Sequence, residues 1–223
     1  MDLRHEWKHE INYSDLLTIR QRLRAVAKPD ENAKDGKYII RSLYFDSPTD
    51  KVLREKLYGQ LYREKFRIRY YNGNTDDITL EKKSKYNTVG TKDKTPLSKE
   101  QAQAIVDGNF FWMHESKDPL ISELYYKMTT QGLRPKTIVD YIREPFVYAP
   151  GNVRVTLDYD IRTGLGCTDF LNPDCPMIPV GDTPIILEVK WDAFLPSVIR
   201  DAVQLTGRST SAFSKFSSCR IYG

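Results

Sequence analysis

The sequence predicts an α+β fold: a mostly antiparallel β-barrel with a charged lumen and helices packed on its outside. Three observations predict it. Segments rich in β-formers dominate and do not alternate regularly with helical ones, which favours an antiparallel sheet with helices attached over a parallel α/β layout. Turn signals at 72–77 and 149–152 sit between such segments at hairpin spacing. The third is Lys65-Phe-Arg-Ile-Arg-Tyr-Tyr71, whose polar face gathers cations, beside other strands that put charges of both signs on one face. Its period of two puts Phe66, Ile68 and Tyr70 on one side and Lys65, Arg67, Arg69 and Tyr71 on the other. Two arginines two residues apart on a strand point the same way, about 6–7 Å apart.

Each element has its own signal. Arg4, Glu6, Lys8 and Glu10 share one face of a first strand over residues 3–11. His5-Glu-Trp-Lys-His9 matches the HExxH zinc-protease pattern, whose chemistry requires a helix. On a strand the two histidines are roughly 13 Å apart and cannot chelate one zinc, so the motif is set aside. A helix follows, with Ser14 as its expected N-cap and Leu16, Ile19, Leu23 and Val26 as its apolar stripe. Tyr38 to Asp46 is a strand, and Ser47-Pro48 reads as the cap and first turn of a short helix running to Leu57. Beyond the 72–77 turn, Thr79, Glu81, Lys83 and Lys85 share a strand face, and Asn87 to Thr95 reads as a polar loop. Ser98 and Gln101 form a capping box, and Asp118-Pro119 opens another helix. Thr137 to Tyr148 and Val153 to Arg162 are strands. The glycine- and proline-rich run 163–184 is a long connection, and Ile185 to Asp192 is the last strand. A helix near Pro196 to Leu205 precedes a serine-rich tail.

Composition bounds the rest. At 223 residues, 29% charged and 40% hydrophobic, the chain reads as a single globular domain, 1–223. No apolar run approaches the roughly 20 residues that cross a bilayer. The start, Met1-Asp-Leu-Arg-His-Glu6, lacks the apolar core of a signal peptide, so a cytoplasmic location is expected. Cys167, Cys175 and Cys219 are odd in number and contain no CxxC pair, which argues against a disulfide framework and a structural zinc site. A net charge of +4 does not announce a nucleic-acid partner.

The chemistry lies in where the charges sit. A flat sheet with one wet face would also alternate. Against that stand Glu188 and Lys190, bracketed by Ile185, Ile186, Leu187, Val189 and Trp191. A strand this apolar is largely buried, and a buried charge needs a partner or a ligand. A lumen of cations repels itself: two like charges about 5 Å apart cost about 3 kcal/mol at an effective dielectric near 20. A polyanion relieves that repulsion, and phosphate suits both the bidentate fork of arginine and the point charge of lysine. Glutamates among the cations suit a divalent metal that bridges phosphate oxygens. The pattern therefore points to a triphosphate with Mg²⁺ or Mn²⁺, and no Walker loop (GxxxxGKS/T) is present.

In order along the chain stand Arg4-His-Glu-Trp-Lys8, Leu43-Tyr-Phe-Asp46, Arg67-Ile-Arg69, Leu80-Glu-Lys-Lys83, Tyr141-Ile-Arg143, Val153-Arg-Val-Thr-Leu-Asp158, Leu187-Glu-Val-Lys190 and Phe213-Ser-Lys-Phe216. Together they resemble the VTC domain, the polyphosphate polymerase branch of the triphosphate tunnel metalloenzymes. The resemblance implies an antiparallel tunnel barrel that binds ATP and inorganic polyphosphate with Mn²⁺ or Mg²⁺. It implies Arg67, Arg69, Lys83 and Glu188 as catalytic residues. Phosphate contacts would come from these cations and from Lys8, Lys56, Lys85, Lys94 (or Lys92), Tyr141, Arg143, Arg154, Lys190, Ser214 and Lys215. Glu188 would hold the metal, with Glu6 and Glu81 as helpers. Two positions depart from the pattern: Lys56 stands where an arginine is expected, and Lys85 where the eukaryotic pattern has histidine. The SPX domain and membrane helices of the eukaryotic assemblies are not in this sequence, so the resemblance implies a stand-alone catalytic domain or a subunit whose membrane partner is another chain. A tunnel triphosphatase and a non-catalytic polyphosphate-binding module remain as alternatives to the polymerase.

Overall fold

The computed structural model describes residues 4–87, 89–205, 207 and 213–221. In chain order the strands are β1 (His5–Ile11), β2 (Lys28–Pro29), β3 (Tyr38–Asp46), β4 (Tyr62–Tyr71), β5 (Ile78–Tyr86), β6 (Val89–Leu97), β7 (Arg134–Tyr148), β8 (Val153–Thr163), β9 (Ile178–Pro179) and β10 (Ile185–Trp191). The helices are α1 (Tyr13–Val26), α2 (Lys51–Leu57), α3 (Lys99–Val106), α4 (Pro119–Thr130), α5 (Ser197–Val203) and α6 (Lys215–Ile221). The paired strands run antiparallel, so the class is α+β. No described helix is long and apolar enough to cross a membrane.

The chain divides into two compact units built from interleaved segments. The first comprises 1–39, 141–161 and 179–214. Its strands lie in the order β1-β10-β8-β7, with β2 beside β7. The apolar side of these strands (Val153, Val155, Leu157, Leu187 and Val189) packs against Leu16, Ile19 and Leu23 of α1 and Ile199, Ala202 and Val203 of α5. That burial fixes the register, because a one-residue slip would turn every apolar side chain to the opposite face. The register sets Lys8 opposite Glu188 and Glu6 opposite Lys190. α1 starts earlier than expected: Asn12, not Ser14, is the N-cap, in a capping box with Asp15. Gly151, in the turn before β8, has φ +73, and a Cβ there would sit 2.4 Å from the carbonyl oxygen of Phe194. Gly151→Ala should therefore lower stability by more than about 1 kcal/mol, since both backbone strain and a main-chain clash oppose it. Thermal denaturation checks this.

The second unit comprises 40–140, 162–178 and 215–223. Its strands lie in the order β3-β4-β5-β6. Leu43, Phe45, Phe66, Ile68, Tyr70 and Leu80 form its apolar side, covered by Ala102 and Ile105 of α3 and Leu120, Leu124 and Met128 of α4. Both helix starts follow the expected chemistry, with a Ser98–Gln101 capping box and an Asp118 cap. Residues 89–97 are a strand rather than the expected loop. β6 lies last in the order, where lysines and Pro96 are tolerated, so its sequence lacks the apolar alternation of an inner strand. α2 begins at Lys51 rather than at Pro48. The Asp46 carboxylate accepts from the amides of Ser47, Val52 and Leu53 and so caps that helix from the end of β3. The tail also holds a helix, α6, whose Phe216 packs on Tyr44.

Candidate functional site

In the second unit the polar face of β3, β4 and β5 gathers around Glu81. Arg67 donates from Nε to Glu81 Oε2 at 2.7 Å and from Nη1 to the Tyr44 hydroxyl at 2.8 Å. Arg69, only 3% exposed, donates from Nε to Ser42 Oγ at 2.9 Å and lies 3.9 Å from Glu81 Oε2. Its Nη1 also reaches the Tyr71 hydroxyl at 3.5 Å. Lys92 Nζ donates to the other Glu81 oxygen at 2.6 Å. Glu81 is buried. Burial pushes its carboxyl up, but Arg67, Arg69 and Lys92 outweigh burial and hold it at about 2. Among these named groups three cations face one carboxylate, so the cluster carries a positive excess.

Tyr44 belongs to the same cluster, through its hydroxyl's contact with Arg67. Burial raises its phenol, yet Arg67, Lys65 and Arg69 together bring it down to about 7. The folded value lies below the unfolded one near 10. The phenolate therefore adds stability above pH 10, and that stability is lost as pH falls through about 7. Titration of the ultraviolet phenolate band should show one tyrosine ionising near neutrality, absent in Tyr44→Phe. If the two titration curves coincide, the assignment is wrong. The alternation Ser42-Leu43-Tyr44-Phe45 puts Ser42 and Tyr44 on one face, and the strand register sets them opposite Arg69 and Arg67.

The first unit holds a different cluster. Glu188, 5% exposed, meets Lys190 Nζ at 2.7 Å, Lys8 Nζ at 3.7 Å and Arg143 Nη2 at 3.5 Å. Lys8 and Lys190 also reach Glu6, at 2.7 and 3.8 Å. Arg143 makes a bidentate pair with the fully buried Asp158, at 2.6 and 2.7 Å, and lies over the Tyr141 ring. Here three cations (Lys8, Arg143, Lys190) meet three carboxylates (Glu6, Asp158, Glu188). Burial pushes the Glu188 carboxyl up, but hydrogen bonding to Glu6 and the fields of Lys8, Lys190 and Arg143 hold it well below the usual carboxylate range. The Thr156 hydroxyl, opposite Glu188 on β8, is buried and has no hydrogen-bond partner among the described residues. Among the described residues no three His, Cys, Asp or Glu side chains are grouped to hold a metal ion. A cavity of about 500 Å³ is lined by Trp7, His9, Arg200, Asp201, Val203, Gln204 and Leu205, none of them a member of either cluster.

A profile of the VTC domain matches residues 3–221. The chain belongs to the VTC domain family. No curated protein matches it. Among solved structures it is similar to a proposed adenylate cyclase of Bacillus halodurans, with TM-score 0.55 and 13% identity over 85% of this chain and 80% of that one. That likeness supports the fold alone. A Pyrococcus horikoshii protein also matches, with TM-score 0.45 and 15% identity over 90% of this chain and 84% of that one.

The remaining residues carried over from the VTC pattern are placed as follows. Lys83 is exposed on β5, opposite Lys65 and Lys92 in register. Lys85 is half-buried opposite Arg63. Lys94 is exposed and lies opposite Glu81 in register, but it is Lys92 whose amine reaches the carboxylate. Lys56 lies in the last turn of α2. Arg154 pairs with Asp30 at 2.8 Å. Ser214 directly precedes α6, and Lys215 is the first residue of that helix. His5 and His9 lie on a strand, so the HExxH motif has no chelating geometry.

Proposed function

We propose that this VTC domain is a polyphosphate polymerase that transfers the γ-phosphate of ATP to a growing inorganic polyphosphate chain. The observation that carries the reading is the pre-positioned pair of half-buried Arg67 and buried Arg69, held by Glu81, Ser42 and Tyr44 with a net positive excess. Donors fixed before the substrate arrives need no reorganisation as charge develops, and phosphoryl transfer depends mainly on such positioning and neutralisation.

In this mechanism a terminal oxygen of the polyphosphate chain attacks the γ-phosphorus of ATP. The bond to the β,γ-bridging oxygen breaks, ADP leaves, and the chain grows by one unit. The attacking oxygen is already anionic, so no general base is needed. Arg67 and Arg69 grip the reacting phosphates, with Lys83 as a further catalytic cation. Lys8, Lys56, Lys85, Lys94, Arg143, Arg154, Lys190 and Lys215 bind phosphate along the chain, with Tyr141 and Ser214 as hydrogen-bonding groups. Glu81 keeps the two arginines oriented.

The donor set in the first unit fits a divalent metal. Glu188 and Glu6 share two lysines, and the unpartnered Thr156 hydroxyl supplies a third hard oxygen beside them. Mg²⁺ is bound through one or two carboxylates together with substrate phosphates rather than by an all-protein cage. Mn²⁺ or Mg²⁺ held there by Glu188 and Glu6 would neutralise phosphate oxygens. Incubation with ATP and Mn²⁺, assayed in parallel for long-chain polyphosphate and free phosphate, tests the reading. Polymer with stoichiometric ADP supports it. Free phosphate without polymer moves the chain to the triphosphatases, and neither product leaves a binding module.

A further inference from the structure

We propose that Cys167 and Cys175 are a site of reversible oxidation that closes an intrachain disulfide within the connection between β8 and β9. They are eight positions apart, and their sulfur atoms lie 2.7 Å from each other. That is well inside the contact distance of two unbonded sulfurs and approaches the roughly 2.05 Å of a disulfide bond. The backbone that carries them is anchored. Cys167 N–H donates to Gly164 O and Cys175 N–H to Asn172 O. Between them Phe170 is fully buried against the Tyr70 ring, the Tyr70 hydroxyl donates to Phe170 O at 3.2 Å, and Arg41 Nη1 donates to Asn172 O at 2.6 Å. The ring can therefore close without refolding the loop.

The two thiols differ in access. Cys167 is half-buried and open to a small reagent, whereas Cys175 is 4% exposed. The third thiol, Cys219, is fully buried elsewhere, with its sulfur toward Arg162 O. Neither charged cluster includes a cysteine, so the pair stands apart from the proposed phosphate chemistry. With glutathione disulfide as oxidant, the Cys167 thiolate attacks one glutathione sulfur, forms a mixed disulfide and releases one glutathione. The Cys175 thiolate then attacks Cys167 Sγ, the intrachain bond forms, and the second glutathione leaves. Two electrons pass to the oxidant, and the two cysteine protons end on the two glutathione thiolates. Burial and the Cys167 contact push the Cys175 thiol up to about 12, so ring closure should quicken as pH rises.

The test is to equilibrate the full chain in glutathione redox mixtures, quench with alkylating reagent under denaturing conditions, and map the peptides. Two of the three thiols should disappear together, in one peptide pair joining Cys167 to Cys175, while Cys219 remains alkylated. Oxidation should raise the Tm by roughly 5 °C, as expected for closing a short loop, and dithiothreitol should reverse it. Cys167→Ser should abolish both effects, and Cys219→Ser should leave both intact. A lasting glutathione adduct on Cys167, a bond to Cys219, or three free thiols in every mixture overturns the proposal.

Discussion

Arg69→Glu should abolish ATP turnover, with kcat/KM falling by about 1,000-fold or more. Removing a single fixed donor from a developing oxyanion typically loses two to three orders of magnitude, and arginines at transferring phosphoryl groups contribute at least as much. The charge reversal adds to that, because a new carboxylate would sit beside Glu81, which already binds Arg67 and Lys92. Arg69→Lys is the informative companion. It keeps the charge but loses the fork that reaches Ser42 and Tyr71 at once, so an intermediate loss is expected. Steady-state kinetics on variants whose circular dichroism matches the wild type would decide. Full turnover in a folded Arg69→Glu protein would sink the assignment of this cluster to phosphate.

Much of this architecture is legible in the residues. The alternation in Lys65 to Tyr71 placed Arg67 and Arg69 on the polar side of β4, and the apolar run around Glu188 announced its burial correctly. Asp158 shares the polar face of its strand with Arg154 and Arg162, yet it pairs across the sheet with Arg143. What stayed hidden depends on cross-strand register, which a one-dimensional pattern does not carry. The resemblance puts Lys94 ahead of Lys92 in the phosphate path. Register puts Lys94 opposite Glu81, yet the long side chain of Lys92 reaches diagonally to it. β6 was missed because a terminal strand needs no apolar face of its own. The Cys167–Cys175 contact was invisible for a related reason: a loop pinned by Phe170 folds back on itself, and no spacing rule describes that.

Register also explains why Glu188 should be the most revealing position after Arg69. Glu188→Ala leaves Lys8, Lys190 and Arg143 without their shared carboxylate. Losing one partner of a buried ion pair costs about 3–5 kcal/mol, and here the lower end is expected, because Arg143 retains Asp158 and Lys8 retains Glu6. The isosteric Glu188→Gln keeps the packing and removes only the charge. Because the Glu188 carboxyl lies well below its ordinary value when folded, its ionisation adds stability above the unfolded carboxylate pKa, and that stability is lost as pH falls through the depressed value. The stability gap between wild type and Glu188→Gln should therefore be widest near neutrality and narrow in acid. Function separates two roles for the same carboxylate. If Glu188 only neutralises its neighbours, Glu188→Gln should retain metal-dependent turnover and its Mn²⁺ affinity. If it holds the metal with Glu6, both should fall at least tenfold while metal-free binding of polyphosphate tightens, since losing one carboxylate leaves the balanced cluster with an excess of cations. Direct Mn²⁺ titration beside a polyphosphate-binding curve distinguishes the two, and unchanged Mn²⁺ affinity would leave Glu188 as a structural counterion.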